Sequence, residues 1–161
     1  MAQGGEGMKH KELVDIAYKW ACRNHSFVFK EFTTYANETP DVIGFRSYYT
    51  TLIECKTNVS DFKADERKIS RRFPEQSMGN YRIYCMPSEL YQKINIPEGW
   101  GVLLVKNNKA RMLESASRND KNFHPSTIKK LLNENMMMFS ALRRFWLRGH
   151  FEKIYEPLEG K

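Results

Sequence analysis

The first helix and the first strand are predicted from two different spacings of apolar residues. Between residues 8 and 24, apolar side chains recur every three or four positions, which is the spacing of one helix face: Leu13, Ile16, Ala17, Trp20 and Ala21. Between residues 26 and 34, apolar and polar side chains instead alternate between two faces, which is typical of a strand. The chain is therefore predicted to open with an amphipathic helix followed by a strand.

Two further apolar runs, at 42–45 and 51–56, predict a pair of strands that form a hairpin. Successive side chains on a strand point to opposite faces of the sheet. Glu54 and Lys56 are therefore predicted to point one way, and Cys55 the other way, into apolar packing.

The hairpin gathers charged side chains at one end. Asp41 stands at the head of the first run, so pairing of the two strands brings it beside Glu54 and Lys56. Two carboxylates that close repel each other, which favours a hard divalent cation bound through oxygen. A lysine beside such a cation can orient or help to deprotonate a water and can stabilise charge on a phosphate. The alternative interpretation is an edge hairpin whose charged residues are simply solvated.

A basic helix is predicted directly after the hairpin. Residues 57–60 form a polar turn, and Ser60 is the expected N-cap of a helix over about 61–73. Five basic side chains fall on two neighbouring rows of this helix: Lys63, Arg67 and Arg71 on one, and Lys68 and Arg72 on the other. These rows are predicted either to hold a phosphate backbone or to form an ordinary solvated helix face.

The second half of the chain adds three strands and a long helix. The strands are predicted at 81–86, 100–105 and 110–115, with a short helix at 87–93. The last helix is predicted over 125–147, with a buried stripe formed by Ile128, Leu132, Phe139, Leu142 and Trp146. This order of elements predicts an α/β domain with a mixed central β-sheet flanked by helices.

Composition and charge limit the classes of binding partner and the cellular compartment that we expect. The 161 residues predict a single domain over 8–161, with 1–7 a disordered tail or tag remnant. The net charge of +7 suits a polyanion. The chain has no apolar run long enough to cross a bilayer, so we expect no membrane partner. Its three cysteines lack metal-ligand spacing and are interpreted as reduced thiols of a cytoplasmic protein.

The first helix also carries a candidate acidic site residue. Glu12 lies one turn before Ile16, at the edge of the apolar stripe. From there its carboxylate could reach a site on the sheet. It could equally be an acid of the first helical turn that the helix dipole stabilises.

The hairpin and its flanks resemble the PD-(D/E)XK nuclease superfamily, and within it the MmcB-like DNA repair proteins and their phage-type relatives. The resemblance spans roughly residues 12–114 and does not include the last helix. It is carried by these segments: Pro40-Asp41-Val42-Ile43, Ile53-Glu54-Cys55-Lys56, Ser60-Asp61-Phe62 with Asp65 and Lys68, the strand 81–87, and 97–102.

The resemblance implies a restriction-endonuclease-like core and a role for each site residue. Asp41, Glu54, the backbone carbonyl of Cys55 and Glu12 would bind Mg²⁺, for which Mn²⁺ can substitute. Lys56 would be the catalytic lysine. Independently of the resemblance, the basic rows of the helix predicted over 61–73 are the expected nucleic-acid-binding residues.

Together these features predict a metal-dependent nuclease that hydrolyses DNA. Because no recognition domain is attached, we expect structure-selective or nonspecific cutting, in repair, recombination, phage or defence. The alternative is a non-catalytic nucleic-acid-binding or interaction module that retains the nuclease fold, because fold does not fix function. RNA stays open as a substrate because the phosphate chemistry is the same. A homodimer is compatible with an exposed tyrosine or arginine surface.

Overall fold

The computed structural model describes residues 7–114 and 120–160, and within them the chain folds around a six-stranded mixed sheet flanked by helices. The prediction for residues 1–7 lies outside the described residues, apart from Gly7. The elements are α1 (His10–Asn24), β1 (Phe27–Lys30), β2 (Val42–Phe45), β3 (Thr50–Cys55), α2 (Val59–Asp65), α3 (Ile69–Arg72), β4 (Tyr81–Pro87), α4 (Ser88–Tyr91), β5 (Trp100–Lys106), β6 (Lys109–Glu114) and α5 (Ile128–Leu147).

The strands lie in the sheet in the order in which they occur in the chain. β1, β2 and β3 pair antiparallel, β3, β4 and β5 pair parallel, and β6 returns antiparallel to β5. The α/β class and the mixed sheet predicted from the sequence are therefore confirmed. No helix in the described part of the chain combines the length and apolar character needed to cross a bilayer.

The two faces of β3 are occupied as the alternation predicts. Ile53 and Cys55 belong to the core cluster that α1 covers, together with Leu13 and Val14 of that helix. Leu52 belongs to the opposite cluster, on the same side as Glu54 and Lys56. The hairpin pairing of β2 and β3 is also confirmed, with Val42 opposite Ile53.

A glycine in β2 allows the residue that follows α1 to pack closely against the sheet. The His25 ring, which follows the last residue of α1, lies over Gly44, where an added Cβ would come within 2.5 Å of the ring. The ring nitrogens lie 3.0 Å from the Ala21 carbonyl oxygen and 2.9 Å from Thr51 Oγ1. Gly44 is thus required for close approach rather than for an unusual backbone angle.

The basic helix predicted over 61–73 is wrong in its extent and its cap. The chain forms two short helices, α2 and α3, separated by a turn at 66–68. The cap of α2 is Asn58, whose Oδ1 accepts a hydrogen bond from the Asp61 N–H at 2.9 Å, and not Ser60. On one continuous helix, Asp65 and Arg71 would point about 120° apart. The break therefore allows both side chains to face the sheet.

The prediction for the last helix is wrong in its orientation. Its predicted buried stripe is exposed, with Ile128 at 78% and Trp146 at 62% of full exposure. The side that packs on the protein carries Lys130, Asn133 and Glu134, together with Met137. Glu134 Oε1 accepts hydrogen bonds from Thr50 Oγ1 at 2.7 Å and from the Gly79 N–H at 3.0 Å. These polar contacts, made to the first residue of β3 and to the segment just before β4, fix the orientation of α5 on the protein. In this orientation the apolar stripe of the helix is left exposed.

Candidate active site

Asp41 is fixed at the point where β2 begins and β3 ends. Its Oδ2 accepts a hydrogen bond from the backbone N–H of Cys55 at 2.7 Å. Its Oδ1 lies 3.4 Å from Nε2 of His10, at the start of α1. The hydrogen bond joins the first residue of the predicted motif to the middle of the Glu54-Cys55-Lys56 segment.

Glu54 is buried, and one of its oxygens has incomplete hydrogen bonding. Burial, together with the negative charge of Asp41, raises the pKa of Glu54 to about 7, against the opposing effect of nearby cations. Its Oε2 lies 3.4 Å from Nζ of both Lys56 and Lys68. Its Oε1 lies 3.4 Å from Nη2 of Arg71, but no described residue gives it a hydrogen bond. A buried carboxylate oxygen in this state costs free energy and is available to a further ligand.

Asp65 is the acid that holds the cations of this region together. Its Oδ1 lies 3.2 Å from Lys56 Nζ and 2.8 Å from Lys68 Nζ. Its Oδ2 accepts hydrogen bonds from Arg71 Nε and from the Tyr84 hydroxyl, both at 2.8 Å. Burial alone would raise the pKa of Asp65, but Arg71 and the two lysines hold it well below its usual range.

Arg71 connects this group to a third acid. Its Nη1 donates a hydrogen bond to Glu38 Oε1 at 2.9 Å, and its guanidinium lies 4.7 Å from the centre of the Trp100 ring. The other oxygen of Glu38 accepts the backbone N–H of Met78 at 3.0 Å. We call the resulting set the buried ion cluster; its members are Glu38, Glu54, Asp65, Lys56, Lys68 and Arg71.

The structure brings together five of the residues that the sequence singles out and leaves others apart. Asp41, Glu54, Lys56, Lys68 and Arg71 lie at one place. Arg71 is buried in ion pairs and is therefore not part of an exposed basic row. The remaining basic residues of the predicted rows are exposed: Lys63, Arg67 and Arg72.

None of the described contacts joins Glu12 to this group. Its Oε2 accepts the backbone N–H of Lys9 at 3.2 Å, which is the helix-start role weighed above as an alternative. The reason is topological. α1 covers the face of the sheet that carries Cys55, whereas Glu54 and Lys56 are on the other face. His10, which the sequence did not single out, is the α1 residue that approaches Asp41.

Glu38, Tyr84 and Trp100 were not predicted as site residues, and Asp65 was given no defined role. Asp65 carries one usable signal, its position three residues before Lys68 on a helix, where side chains can meet. Glu38 reaches Arg71 and Met78 across more than thirty residues of chain, and no local pattern indicates such contacts.

Two carboxylates could act as metal ligands here. In the described residues, no three His, Cys, Asp or Glu side chains are grouped as a metal site. Asp41 and Glu54 offer hard oxygen donors, and the Oε1 atom of Glu54 is buried without a hydrogen bond. Mg²⁺ is commonly bound through one or two carboxylates and keeps several of its waters. The residues therefore fit Mg²⁺ bound partly through water, rather than a complete cage of protein ligands.

Comparison with known proteins shows a fold but no family. No family model matches the chain, and no curated protein matches it. A solved structure, the SPO1766 protein of unknown function from Silicibacter pomeroyi, is similar with a TM-score of 0.65. The two sequences are 16% identical, and the match covers 96% of each chain. At this identity the similarity shows a shared fold alone.

Proposed function

We propose that the protein is a metal-dependent nuclease with a restriction-endonuclease-like core that hydrolyses phosphodiester bonds in DNA. One observation carries the proposal. The Glu54 carboxylate is buried with one oxygen that accepts no hydrogen bond from the described residues, lies close enough to Asp41 for its pKa to be raised, and has the Lys56 ammonium 3.4 Å from its other oxygen. This is the charge arrangement that the hairpin motif predicts.

Asp41 and Glu54 are the proposed ligands of the metal. Mg²⁺ or Mn²⁺ bound there would act as a Lewis acid. It would polarise a phosphate and lower the pKa of a bound water. The Cys55 carbonyl is a further proposed donor, because the Asp41 hydrogen bond fixes the backbone of that residue. We leave Glu12 out of the ligand set because its carboxylate caps α1.

Lys56 is proposed to act on the reacting phosphate or its attacking water. Its ammonium is held by Glu54 Oε2 and Asp65 Oδ1, which fixes its position before substrate binds. A preorganised cation in a buried site stabilises developing negative charge more strongly than one in water. Lys68, half exposed and bonded to the same two acids, would contact the phosphate from the open side.

The exposed basic residues next to the site support a nucleic-acid substrate. Lys63, Arg67 and Arg72 lie on α2, the following turn and α3, directly beside the buried ion cluster. Side chains of this kind bind the sugar-phosphate backbone and position it without reading sequence. This favours nonspecific or structure-selective cutting.

A second candidate function also has an observation in its favour. Lys56 is buried and already paired with two carboxylates, so its ammonium is partly satisfied without any substrate. That state suits a non-catalytic nucleic-acid-binding module, in which the buried ion cluster only shapes the fold.

A cleavage panel separates the two functions. Labelled linear duplex, single strand, supercoiled plasmid, flap, four-way junction and an RNA strand are incubated with Mg²⁺, Mn²⁺ or EDTA. The wild type is compared with Lys56→Met, which keeps the length of the stem, and with Lys129→Ala, an exposed lysine on α5, as the control. We expect metal-dependent DNA cutting that Lys56→Met abolishes and Lys129→Ala retains, with DNA binding kept in both variants.

Each other outcome changes the conclusion. Cutting that survives Lys56→Met, in a preparation free of contaminating nuclease, refutes the mechanism. Binding without cutting on every substrate favours the non-catalytic module. Preference for the RNA strand keeps the chemistry and changes the substrate class.

A further inference from the structure

The polarity of α5 is inverted relative to the rest of the protein. The side chains facing the sheet include Lys130, of which 2% is exposed, and Asn133, whose amide donates to the Gln76 carbonyl at 2.8 Å. Lys130 Nζ lies 3.3 Å from the Gly79 carbonyl oxygen. The opposite side is lined by exposed large apolar residues: Ile128, Leu131, Leu132, Phe139, Leu142 and Trp146. An amphipathic helix normally faces its apolar stripe toward a core.

The area of this stripe is larger than a free surface usually carries. A large apolar residue presents about 200 Å² when fully exposed, so the exposed fractions of these six residues leave roughly 700 Å² on α5 alone. The largest apolar patch on a typical monomer is about 300–600 Å². A stable interface buries about 800 Å² on each partner. The stripe therefore matches one half of a protein–protein interface in size.

We propose that this stripe is the contact surface of a homodimer, in which α5 of one protomer packs antiparallel against α5 of its partner. This inference does not rest on the proposed nuclease activity. A stripe that runs the full length of a helix is complementary to a second copy of itself, because a two-fold axis places the same patch on both sides. The aliphatic end around Ile128 and Leu132 then faces the aromatic end around Phe139 and Trp146.

The charges on the helix favour the antiparallel arrangement. Arg143 flanks the stripe near the carboxyl end of α5, whereas Arg144 is turned to the protein and donates a hydrogen bond to the Thr33 carbonyl at 3.0 Å. A parallel pair would place the two copies of Arg143 side by side, where like charges repel. In an antiparallel pair, the arginines of the two protomers lie toward opposite ends of the helix pair, which is about 30 Å long. Asn135, the polar residue in the middle of the stripe, then lies near the two-fold axis.

The surroundings of the stripe argue against other occupants. A nucleic acid does not cover a mainly aliphatic and aromatic face. An anionic lipid surface would meet the segment after α5, which continues the apolar surface with Ile154, Tyr155 and Leu158 but interleaves Glu152, Glu156 and Glu159. These carboxylates would be repelled by an anionic lipid surface.

Sedimentation equilibrium tests the proposal directly. We expect the wild type to be a dimer at 10–100 µM and Leu132→Glu to be a monomer at the same concentrations, with at least a hundredfold weaker association. Leu113→Glu, the same change at an exposed leucine of β6, is the matched control and should stay dimeric. Both substituted side chains are exposed, and circular dichroism checks that each variant folds.

Orientation is tested by distance measurements between spin labels. The label is placed at Ile128→Cys in a Cys22→Ser background, because Cys22 is exposed whereas Cys55 and Cys85 are buried. Antiparallel packing predicts a label separation on the order of 30 Å, and parallel packing one nearer 10 Å. A monomeric wild type, a dimer unchanged by Leu132→Glu, or a short label distance overturns the proposal. So does a monomer that co-sediments with phosphatidylserine vesicles through this face.

Discussion

Replacing Glu54 by glutamine should stabilise the metal-free protein at neutral and alkaline pH. Burial and the Asp41 charge raise the pKa of Glu54 to about 7, from 4.5 in the unfolded chain. Between these two pH values the unfolded state has lost the proton while the native state keeps it. Native stability therefore falls as the pH rises through this window. Glutamine keeps the shape of the protonated carboxyl and does not ionise, so the variant avoids the loss.

The size of the effect follows from the shift. Each pKa unit corresponds to about 1.4 kcal/mol, so ionising Glu54 costs the native state about 3 kcal/mol at pH 8. At pH 4.5 the cost is close to zero because the carboxyl is protonated in the native protein. Glu54→Gln should therefore match the wild type in acid and exceed its free energy of unfolding by up to about 3 kcal/mol at pH 8.

Urea unfolding in EDTA at pH 4.5, 6 and 8 measures this difference. Glu89→Gln is the matched control, because it makes the same change at an exposed glutamate of α4. Adding Mg²⁺ at about one hundred times its Kd should then raise the stability of the wild type by about 2.7 kcal/mol and that of Glu54→Gln by less. A stability difference between wild type and Glu54→Gln that stays constant across pH refutes the reasoning.

Three further changes test other parts of the structure. Arg71→Leu should lower the free energy of unfolding by about 3–5 kcal/mol, because it leaves Glu38 and Asp65 buried without their guanidinium partner; a loss under about 1 kcal/mol in urea unfolding would contradict this. Gly44→Ala should cost about 1–3 kcal/mol through contact with the His25 ring, and an unchanged melting temperature would show that the ring moves freely. Burial lowers the pKa of Lys130 to about 8 from 10.5, so between these pH values only the unfolded state holds the extra proton, and stability rises with pH. Wild type should gain up to about 3 kcal/mol relative to Lys130→Met across this window, and parallel pH profiles would exclude the effect.

Features set by the local backbone could be predicted from the sequence. The alternation of Glu54, Cys55 and Lys56 follows from the pleat of a strand and needs no knowledge of distant residues. The closeness of Asp41 to this segment follows from pairing of β2 with β3, and the Asp41 to Cys55 hydrogen bond agrees with it. Short-range geometry was therefore enough to locate the centre of the candidate site.

Features set by long-range packing could not be predicted. Which face of the sheet α1 covers depends on how the whole chain crosses the sheet, so Glu12 could not be separated from the site by pattern alone. The apolar stripe of α5 indicates which side of the helix favours apolar contact. It does not indicate whether that contact comes from the same chain or from a partner. Glu134 decides the orientation through Thr50 and Gly79, residues more than fifty positions away.

The proposed metal would account for two features beside the buried ion cluster. Taking charges out of water is costly, and replacing a buried ion pair with apolar residues is often neutral or stabilising. Asp41 adds a further carboxylate beside the cluster, and Glu54 keeps an oxygen without a hydrogen bond there. A bound cation would satisfy both features at once, because it would neutralise the repulsion between Asp41 and Glu54 and coordinate the oxygen that lacks a hydrogen bond.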